Sequence, residues 1–351
     1  MELGLFLKRE DFNVSDSGIS LVEKVQIGGV DQCILLQGEN TNNPILFFLH
    51  GGPSLPLPGV SCRGKDYTIV TNTKELVKHF TIVYWDQRGT GKSYSKSIGP
   101  NSMNISQFVH DANELTEYLR RRFQQEKIFL VGHSWGTILG LTLINLYPEK
   151  FHSYFGISQI INWVENDRVA LQWAKEEAKK RKNHKALMEL NAVGEPPFIE
   201  SFEQWGVLRK WQARFNSMIY SEGEIKHPGL FQISKVMFTS KDYSLRDIYH
   251  SFYKGFKLVY THDFINEIPN INFLQTSKKV DILITFIHGS KDVHVGSGLV
   301  EDYYEHIETS RGKQFIKMEK SAHIFHPEDT KKIEEILIAE RKHANKSLFI
   351  Q

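Results

Sequence analysis

The sequence predicts an α/β protein in which a mostly parallel sheet is interrupted by a long helical segment. Strand patterns alternate with helical patterns up to about residue 158, the alternation stops between about 160 and 275, and it then resumes. Such alternation is typical of a parallel sheet covered by helices on both faces. We therefore expect two core segments, 1–159 and 276–351, separated by a helical cap over 160–275.

Each element of the first core segment follows from a local pattern. The runs ISLVEKVQI and QCILLQGE meet near a Gly-Gly pair and indicate a hairpin. A short apolar strand ends at Leu49, a short helix over 73–80 leads into the strand FTIVYW, and helical spacing of apolar residues predicts a helix over 105–123. The strand KIFLVG then precedes the apolar helix TILGLTLINLYP, and SYFGIS is a further strand.

The rest of the chain divides in the same way. The region from about 160 to 275 has mainly helical patterns and contains four of the six tryptophans. After it come the strand DILITFIHG, the helix GLVEDYYEHI, the strand KQFIKM and the final helix PEDTKKIEEILIAERKHA. This return to alternation is the reason to expect one interrupted α/β domain.

Composition and charge exclude several classes of function. Lys and Arg total 43 and Asp and Glu total 41, so the net charge of +2 gives no reason to expect nucleic acid or an anionic membrane as a partner. No stretch approaches the roughly 18–20 apolar residues of a membrane span, and the N-terminus MELGLFLKREDF lacks the apolar core of a signal peptide. With two cysteines and no Cys/His cluster, we expect a cytoplasmic protein without disulfides or a zinc site.

The stretch VGHSWGT contains a G-x-S-x-G motif centred on Ser134. It lies between the strand KIFLV and an apolar helix, the context in which such a serine occupies a sharp strand-to-helix turn and acts as a nucleophile. Gly132 and Gly136 provide room where side chains would clash. The alternative is a tight turn with an incidental serine.

A serine nucleophile needs a base and an acid that orients the base, in the chain order Ser, Asp/Glu, His. Asp292 follows the strand ILITFIHG, and His323 follows the strand KQFIKM. Both come after strand C-terminal ends, where sites in open α/β sheets lie. His326 is the rival base, although its place before the final helix favours a surface or capping role. His294 and Asp302 are weaker rivals to the pair.

The stretch FFLHGGPS supplies the remaining expected part of the site. Serine chemistry passes through an oxyanion that needs preorganised N–H donors. One donor is expected from Trp135, the residue after the serine, and the other from the loop that begins at His50. We favour Gly52 as that second donor, with Gly51 as the alternative, and expect His50 to support the loop. The alternative to an oxyanion loop is an ordinary Gly-Pro turn.

The segments HGGPS, DQRGTGKS and GHSWG, followed by Asp292 and His323, resemble the α/β-hydrolase fold in residue type and order. The pair HGGP and DQRGxGxS is similar to the proline iminopeptidase-like branch, the prolyl aminopeptidase family. The resemblance covers about 20–158 and 280–345. It implies an eight-stranded sheet with a helical cap inserted after the sixth strand.

The same resemblance implies structural roles for Asp86 and Arg88 in supporting the oxyanion loop. The alternative is an exposed turn with a surface ion pair, which would contribute little. The chain departs from the branch at Ser54, His133 and Ala322, where the branch usually has glycine.

The leading hypothesis is a serine hydrolase that forms an acyl-enzyme, requires no metal or organic cofactor, and acts on a small-molecule or short-peptide substrate. The resemblance favours an amide bond at a peptide N-terminus, and a carboxylester is the alternative. A non-catalytic ligand-binding protein on the same fold is the alternative from another class. An aminopeptidase must bind a positively charged N-terminus, for which the cap offers Glu165, Asp167, Glu195, Glu200, Glu203 and Glu222.

Overall fold

A computed structural model of the chain describes residues 10–348, with side chains described except over 230–233 and 343–348. The expectation about a signal peptide falls largely on residues 1–9, which lie outside the described residues. The strands are β1 (Ile19–Ile27), β2 (Val30–Gly38), β3 (Ile45–Leu49), β4 (Thr81–Asp86), β5 (Ile128–His133), β6 (Phe151–Ile157), β7 (Lys279–Val280), β8 (Leu283–Gly289), β9 (Glu308–Thr309) and β10 (Lys313–Met318).

The helices connect and cover these strands. They are α1 (Leu76–His79), α2 (Ile105–Arg122), α3 (Trp135–Leu146), α4 (Trp163–Lys180), α5 (His184–Ala192), α6 (Phe202–Arg214), α7 (Gly229–Phe238), α8 (Leu245–Tyr249), α9 (Phe256–Val259), α10 (His262–Glu267), α11 (Phe273–Thr276), α12 (Ser297–His306) and α13 (Pro327–Leu348). Within the described part of the chain, none of them combines the length and the apolarity that crossing a bilayer requires.

Eight strands form one sheet in the order β1-β2-β4-β3-β5-β6-β8-β10. β2 runs antiparallel to both of its neighbours, and every other pair in the sheet is parallel. The β1–β2 turn is formed by Gly28 and Gly29 at φ values of 55° and 75°, a conformation in which glycine avoids a Cβ clash. The predicted mostly parallel, eight-stranded sheet is confirmed.

The sheet is buried on both faces because successive side chains of its central strands point to opposite sides. In β3, Phe47 packs in a cluster with residues of α2 and α3, whereas Phe48 packs in a second cluster with residues of α1 and α13. All five residues of β3 are buried. This explains why the strand is continuously apolar rather than alternating. The C-terminal end of β3 lies at the same side of the sheet as the C-terminal ends of its parallel neighbours β4 and β5.

Helices α4–α11 lie between β6 and β7, and we call residues 163–276 the helical segment. Two backbone hydrogen bonds join the start and the end of this segment. Trp163 N–H donates to the Ile271 carbonyl (3.0 Å), and Phe273 N–H donates to the Ile161 carbonyl (2.8 Å). The segment has its own apolar cluster, in which Leu208 and Trp205 are buried. Its base is therefore fixed beside the end of β6.

The sequence did not predict the two-stranded sheet of β7 and β9. Each strand has only two residues, which is too short for a hydrophobic period to register. Cys33 and Cys62 are buried free thiols.

Candidate active site

Ser134 occupies the sharp turn between β5 and α3, with φ 52° and ψ −120°. A non-glycine residue rarely adopts such a backbone conformation, so the surrounding structure must hold it there. A Cβ on Gly136 would lie 2.0 Å from the Leu49 carbonyl oxygen, and one on Gly132 would lie 2.7 Å from the Gly136 carbonyl oxygen. Glycine at position 136 therefore allows the turn to pack against the end of β3, and glycine at position 132 allows β5 to turn sharply into α3.

Ser134, His323 and Asp292 form a continuous hydrogen-bonded series. His323 Nε2 lies 3.0 Å from Ser134 Oγ, and His323 Nδ1 lies 2.9 Å from Asp292 Oδ2. An ionised carboxylate can only accept, so Nδ1 carries the proton and Nε2 is left to accept from the serine hydroxyl. Asp292 follows β8 and His323 follows β10, which brings residues nearly 190 positions apart into contact.

Asp292 is held by donors on both of its oxygens. Oδ1 accepts from the backbone N–H groups of His294 and Val295, each at 2.9 Å, and Oδ2 also accepts from Ser158 Oγ at 2.9 Å. Burial acts to raise the pKa of Asp292, but the neighbouring His323 and these hydrogen bonds hold that pKa well below its usual range. The carboxylate therefore stays ionised and can orient the imidazole.

The residues predicted to bind the oxyanion surround Ser134. A Cβ on Gly51 would lie 3.2 Å from Ser134 Cβ, so the loop after β3 passes directly over the serine. Gly52 has φ 117°, which favours glycine, and its carbonyl accepts from Tyr260 Oη at 2.7 Å. Trp135 is the first residue of α3, so its N–H has no acceptor within the helix. Their roles as oxyanion donors stay predictions.

Gln87, which the sequence analysis did not single out, connects the loop to the serine turn. Its backbone N–H donates to His50 Nε2 (3.1 Å), its side-chain amide donates to the His50 carbonyl (3.0 Å), and its Oε1 accepts from Trp135 Nε1 (3.1 Å). Burial lowers the pKa of His50 to about 4, so the ring is neutral and can accept that bond. The signal for Gln87 was its place within DQRGTGKS, directly after a buried strand.

Asp86 is buried at the end of β4 and joins three separate segments. It accepts from the backbone N–H of Val60 (2.8 Å), from the backbone N–H of Lys92 (2.9 Å) and from the hydroxyl of Tyr243. Burial raises the pKa of Asp86 to about 6, against the lowering effect of those donors. Its neighbour Gln87, rather than Asp86 itself, makes the hydrogen bonds to His50.

Arg88 forms a buried ion pair at the same turn. Its Nε lies 2.7 Å from Asp111 Oδ2, its second guanidinium nitrogen lies 2.9 Å from Asp111 Oδ1, and it also donates to the Gly28 carbonyl at 2.8 Å. The side chains of Arg88 and Asp111 are 2% and 0% exposed, which does not fit an exposed turn with a surface ion pair. The pair links β4 to α2 and to the β1–β2 turn.

The other candidate residues have contacts elsewhere, and the hydrogen bond to Ser134 Oγ is made by His323. His326 is buried, and its Nδ1 accepts from Glu328 N–H at the start of α13, as expected for a capping residue but not for a surface one. His294 packs against His323 with ring centroids 4.6 Å apart and the rings tilted by 49°. Asp302 is exposed and pairs with His306. His133 donates from Nε2 to the His323 carbonyl (3.2 Å), and burial lowers its pKa to about 3.

A cavity of about 200 Å³ opens beside Ser134 and is shared between the sheet edge and the helical segment. It is lined by Gly52, Ser134, Trp135, Ile160, Trp163, Asn166, Trp205, Arg209, Phe256, Tyr260, His294 and Val295. None of the six acidic residues considered for binding a substrate N-terminus belongs to this lining. Among the described residues, no group of three or more His, Cys, Asp or Glu is placed to hold a metal ion.

A family model described as alpha/beta hydrolase fold matches residues 44–330 of the chain. The chain is 30% identical over 319 residues to the probable aminopeptidase YbaC of Bacillus subtilis strain 168, a match that covers 89% of this chain and 93% of that protein. It is 30% identical over 115 residues to a proline iminopeptidase of Heyndrickxia coagulans, which covers 33% of this chain and 35% of that protein.

A solved structure, that of a proline iminopeptidase-related protein from Thermus thermophilus, superimposes with a TM-score of 0.60. The match covers 92% of this chain and 97% of the other, at 16% sequence identity. At that identity, the likeness supports the fold alone.

Proposed function

The chain is an enzyme of the α/β-hydrolase fold family, and from that premise we propose that it is a serine hydrolase acting through an acyl-enzyme. The predicted resemblance to this family and to its proline iminopeptidase-like branch is confirmed by the family model and by the sequence relatives. The observation that carries the proposal is the hydrogen-bonded series Ser134–His323–Asp292, with separations of 3.0 and 2.9 Å. Such an arrangement of nucleophile, base and orienting acid activates a hydroxyl that is otherwise unreactive.

In the first half of the reaction, Ser134 Oγ attacks the substrate carbonyl carbon while its proton moves to His323 Nε2. Asp292 stabilises the imidazolium that forms and keeps the ring in the required orientation. The carbonyl oxygen becomes an oxyanion that accepts hydrogen bonds from the N–H groups of Trp135 and Gly52. The positive end of α3, whose first residue is Trp135, also favours negative charge at this point.

In the second half, His323 returns its proton to the leaving nitrogen or oxygen, and the bond to the carbonyl carbon breaks. The acyl group is then esterified to Ser134. A water molecule gives a proton to His323 and adds to the acyl carbon, and the released serine oxygen takes that proton back. The products are a carboxylic acid and an amine or alcohol.

The substrate is a small molecule or short peptide that fits beneath the helical segment, which we propose acts as a cap domain over 160–275 on a core of 1–159 and 276–351. Two bond types remain candidates. The name of the Bacillus subtilis relative, probable aminopeptidase, favours an amide at a peptide N-terminus. The cavity of about 200 Å³ beside Ser134 is lined mainly by apolar and aromatic residues and also accommodates a small ester.

The test compares native protein with Ser134→Ala and with Ser97→Ala, a substitution at an exposed serine far along the chain from the turn. Each protein is given aminoacyl-coumarin amides, p-nitrophenyl esters of increasing chain length, and a fluorophosphonate probe. We expect labelling at Ser134 and turnover of at least one panel, with a loss of about 10³-fold or more in Ser134→Ala only.

Each outcome separates the alternatives. Amide turnover that requires a free α-amino group supports an aminopeptidase, and turnover confined to esters supports an esterase. Activity retained by Ser134→Ala would show that the nucleophile lies elsewhere. A folded native protein that neither turns over a substrate nor reacts with the probe would instead support a non-catalytic binding protein.

A further inference from the structure

We propose that Arg209 binds a carboxylate on the acyl group of the substrate, so that this enzyme prefers anionic acyl groups to those bearing a free ammonium. The inference rests on the proposed serine hydrolase function and specifies its substrate class. It is carried by the placement of a guanidinium in the wall of the cavity that contains Ser134, together with the kinds of residue that accompany it there.

Arg209 supplies the formal charge among the described residues that line this cavity. The lining contains no carboxylate, and its other titratable side chains are Tyr260 and His294. Burial raises the pKa of Tyr260 above its ordinary value and lowers the pKa of His294 to about 3, so both are neutral near pH 7. An arginine stays charged under the same conditions. Arg209 is therefore the charged group of the lining, and its counterion Asp167 lies outside the lining.

The guanidinium of Arg209 is held in place before any ligand arrives. It donates to Asp167 Oδ1 at 2.6 Å and to Gln212 Oε1 at 3.2 Å, and it lies 5.6 and 5.4 Å from the ring centres of Trp163 and Trp205. These two hydrogen bonds to described residues engage two of its five N–H donors. The side chain is 22% exposed and belongs to the cavity lining, so part of it is accessible to a ligand.

Asp167 orients Arg209 but does not offer a site for an ammonium. Its side chain is 3% exposed and is absent from the residues that line the cavity. A planar guanidinium can accept carboxylates at more than one edge, since its N–H groups form a fork that fits them. Asp167 occupies one edge, and a substrate carboxylate would occupy the edge that faces the cavity.

A free substrate N-terminus fits this cavity poorly. A positive ammonium would enter beside Arg209 without a carboxylate of its own, because the buried Asp167 already pairs with Arg209 and no described Asp or Glu lines the cavity. Trp163 and Trp205 already face the guanidinium, and a neutral aromatic face is a weaker partner for an ammonium than a carboxylate. A carboxylate meets the opposite situation, with a charge partner and unoccupied donors.

The experiment uses four coumarin amides whose acyl chains all have five carbons. Glutaryl carries a carboxylate, glutamyl a carboxylate and an ammonium, glutaminyl an ammonium and a carboxamide, and glutaramoyl a carboxamide alone. Each compound is measured as a substrate and as a competitor of fluorophosphonate labelling at Ser134, a readout that does not require the compound to be hydrolysed. We expect glutaryl to surpass glutaramoyl by about tenfold or more in kcat/KM or in protection, as for a charge-assisted hydrogen bond.

The variant must not leave Asp167 as a buried carboxylate without its cation, because such a change can unfold the protein. We therefore use the double substitution Arg209→Gln with Asp167→Asn, which removes both charges and keeps hydrogen-bonding groups, together with Arg209→Lys. The double variant is expected to treat glutaryl and glutaramoyl equally, and a circular dichroism spectrum checks that it is folded. Arg209→Lys should retain part of the preference. Arg214→Gln, at an exposed arginine on the same helix that lies 5.0 Å from the ring of Trp211, is the matched control and should keep the full preference.

The outcomes distinguish the two proposals. Absence of labelling at Ser134 in folded native protein overturns the serine hydrolase function itself. Labelling that glutaryl and glutaramoyl compounds suppress equally, or that glutaminyl suppresses best, overturns the carboxylate preference alone. If the double variant still prefers glutaryl to glutaramoyl, the substrate carboxylate is bound by a residue other than Arg209, and the proposal is overturned.

Discussion

Asp86 and Asp292 are buried aspartates at the same edge of the sheet, one at the end of β4 and one in the loop after β8. Burial opposes ionisation in both, yet the pKa of Asp86 is raised to about 6 and that of Asp292 is held below its usual range. Both accept two backbone N–H bonds, so backbone donors alone do not account for the difference. What separates them is the presence of imidazoles: His323 and His288 lie 2.9 and 3.7 Å from Asp292, whereas Asp86 is bound by the neutral hydroxyl of Tyr243.

The comparison teaches that a buried carboxylate at a strand end has no fixed role. A partner that can become positive keeps the carboxylate ionised and makes it part of a proton-transfer series. A neutral partner leaves it as a connection between segments, in this case the turns at Val60 and Lys92 and the helical segment at Tyr243. Substitution by asparagine should therefore affect catalytic activity at one position and the pH dependence of stability at the other.

Asp292→Asn should have the largest effect, and the effect should be on activity. The amide cannot hold His323 in the tautomer that accepts from Ser134, so kcat should fall by about 10⁴-fold. Rates of substrate turnover and of fluorophosphonate labelling, together with a circular dichroism spectrum, test this in the folded variant. A loss below tenfold in a folded variant would remove Asp292 from the proposed mechanism.

Asp86→Asn should instead change how stability depends on pH. Because the folded-state pKa of Asp86 is raised, the folded form holds a proton that the unfolded form has lost, and the stabilising contribution disappears as pH rises through about 6. Between pH 7 and 4.5 the native protein should gain about 2 kcal/mol of unfolding free energy relative to the variant. Urea unfolding at the two pH values measures the difference.

The matched control for this measurement is Asp16→Asn, at an exposed aspartate. Its stability relative to the native protein should change little between the two pH values. If Asp86→Asn behaves in the same way as Asp16→Asn, the raised pKa of Asp86 is refuted, and with it the contrast between the two buried aspartates.

Tyr243→Phe should have a smaller effect, located at the contact between core and helical segment. It removes one hydrogen-bond donor from Asp86, which costs about 1–2 kcal/mol of unfolding free energy at pH 7. The cost should be lower at pH 4.5, where the carboxyl group is protonated and no longer needs that donor. Tyr249→Phe, at an exposed tyrosine of the same segment, is the control for urea unfolding. Equal costs at both pH values would contradict this account.

Much of the sheet was predictable because its strands are buried on both faces and are therefore continuously apolar. The positions of Ser134, Asp292 and His323 were predictable for a related reason. Each follows a strand that the pattern identifies, and parallel strands bring their C-terminal ends to one edge. The catalytic roles assigned to these residues stay predictions until activity is measured.

The contacts that the sequence did not predict join positions far apart, with no local pattern to mark them. Ser158 reaches Asp292 across 134 positions, and Arg209 meets Asp167 across 42. Asp167 had been considered only as one of six acidic residues for an ammonium. Its place in a buried ion pair depends on how α4 and α6 pack, which single-residue chemistry does not reveal.

One bond constrains how this protein could be engineered by exchanging parts. Tyr260 Oη of the helical segment donates to the carbonyl of Gly52, in the loop over Ser134, at 2.7 Å. A chimera that takes its helical segment from a relative would keep every strand-end residue and still lose this donor unless the graft brings a hydroxyl to the same point. Grafts that alter substrate preference should therefore be designed around Tyr260, with that single residue carried over from the recipient.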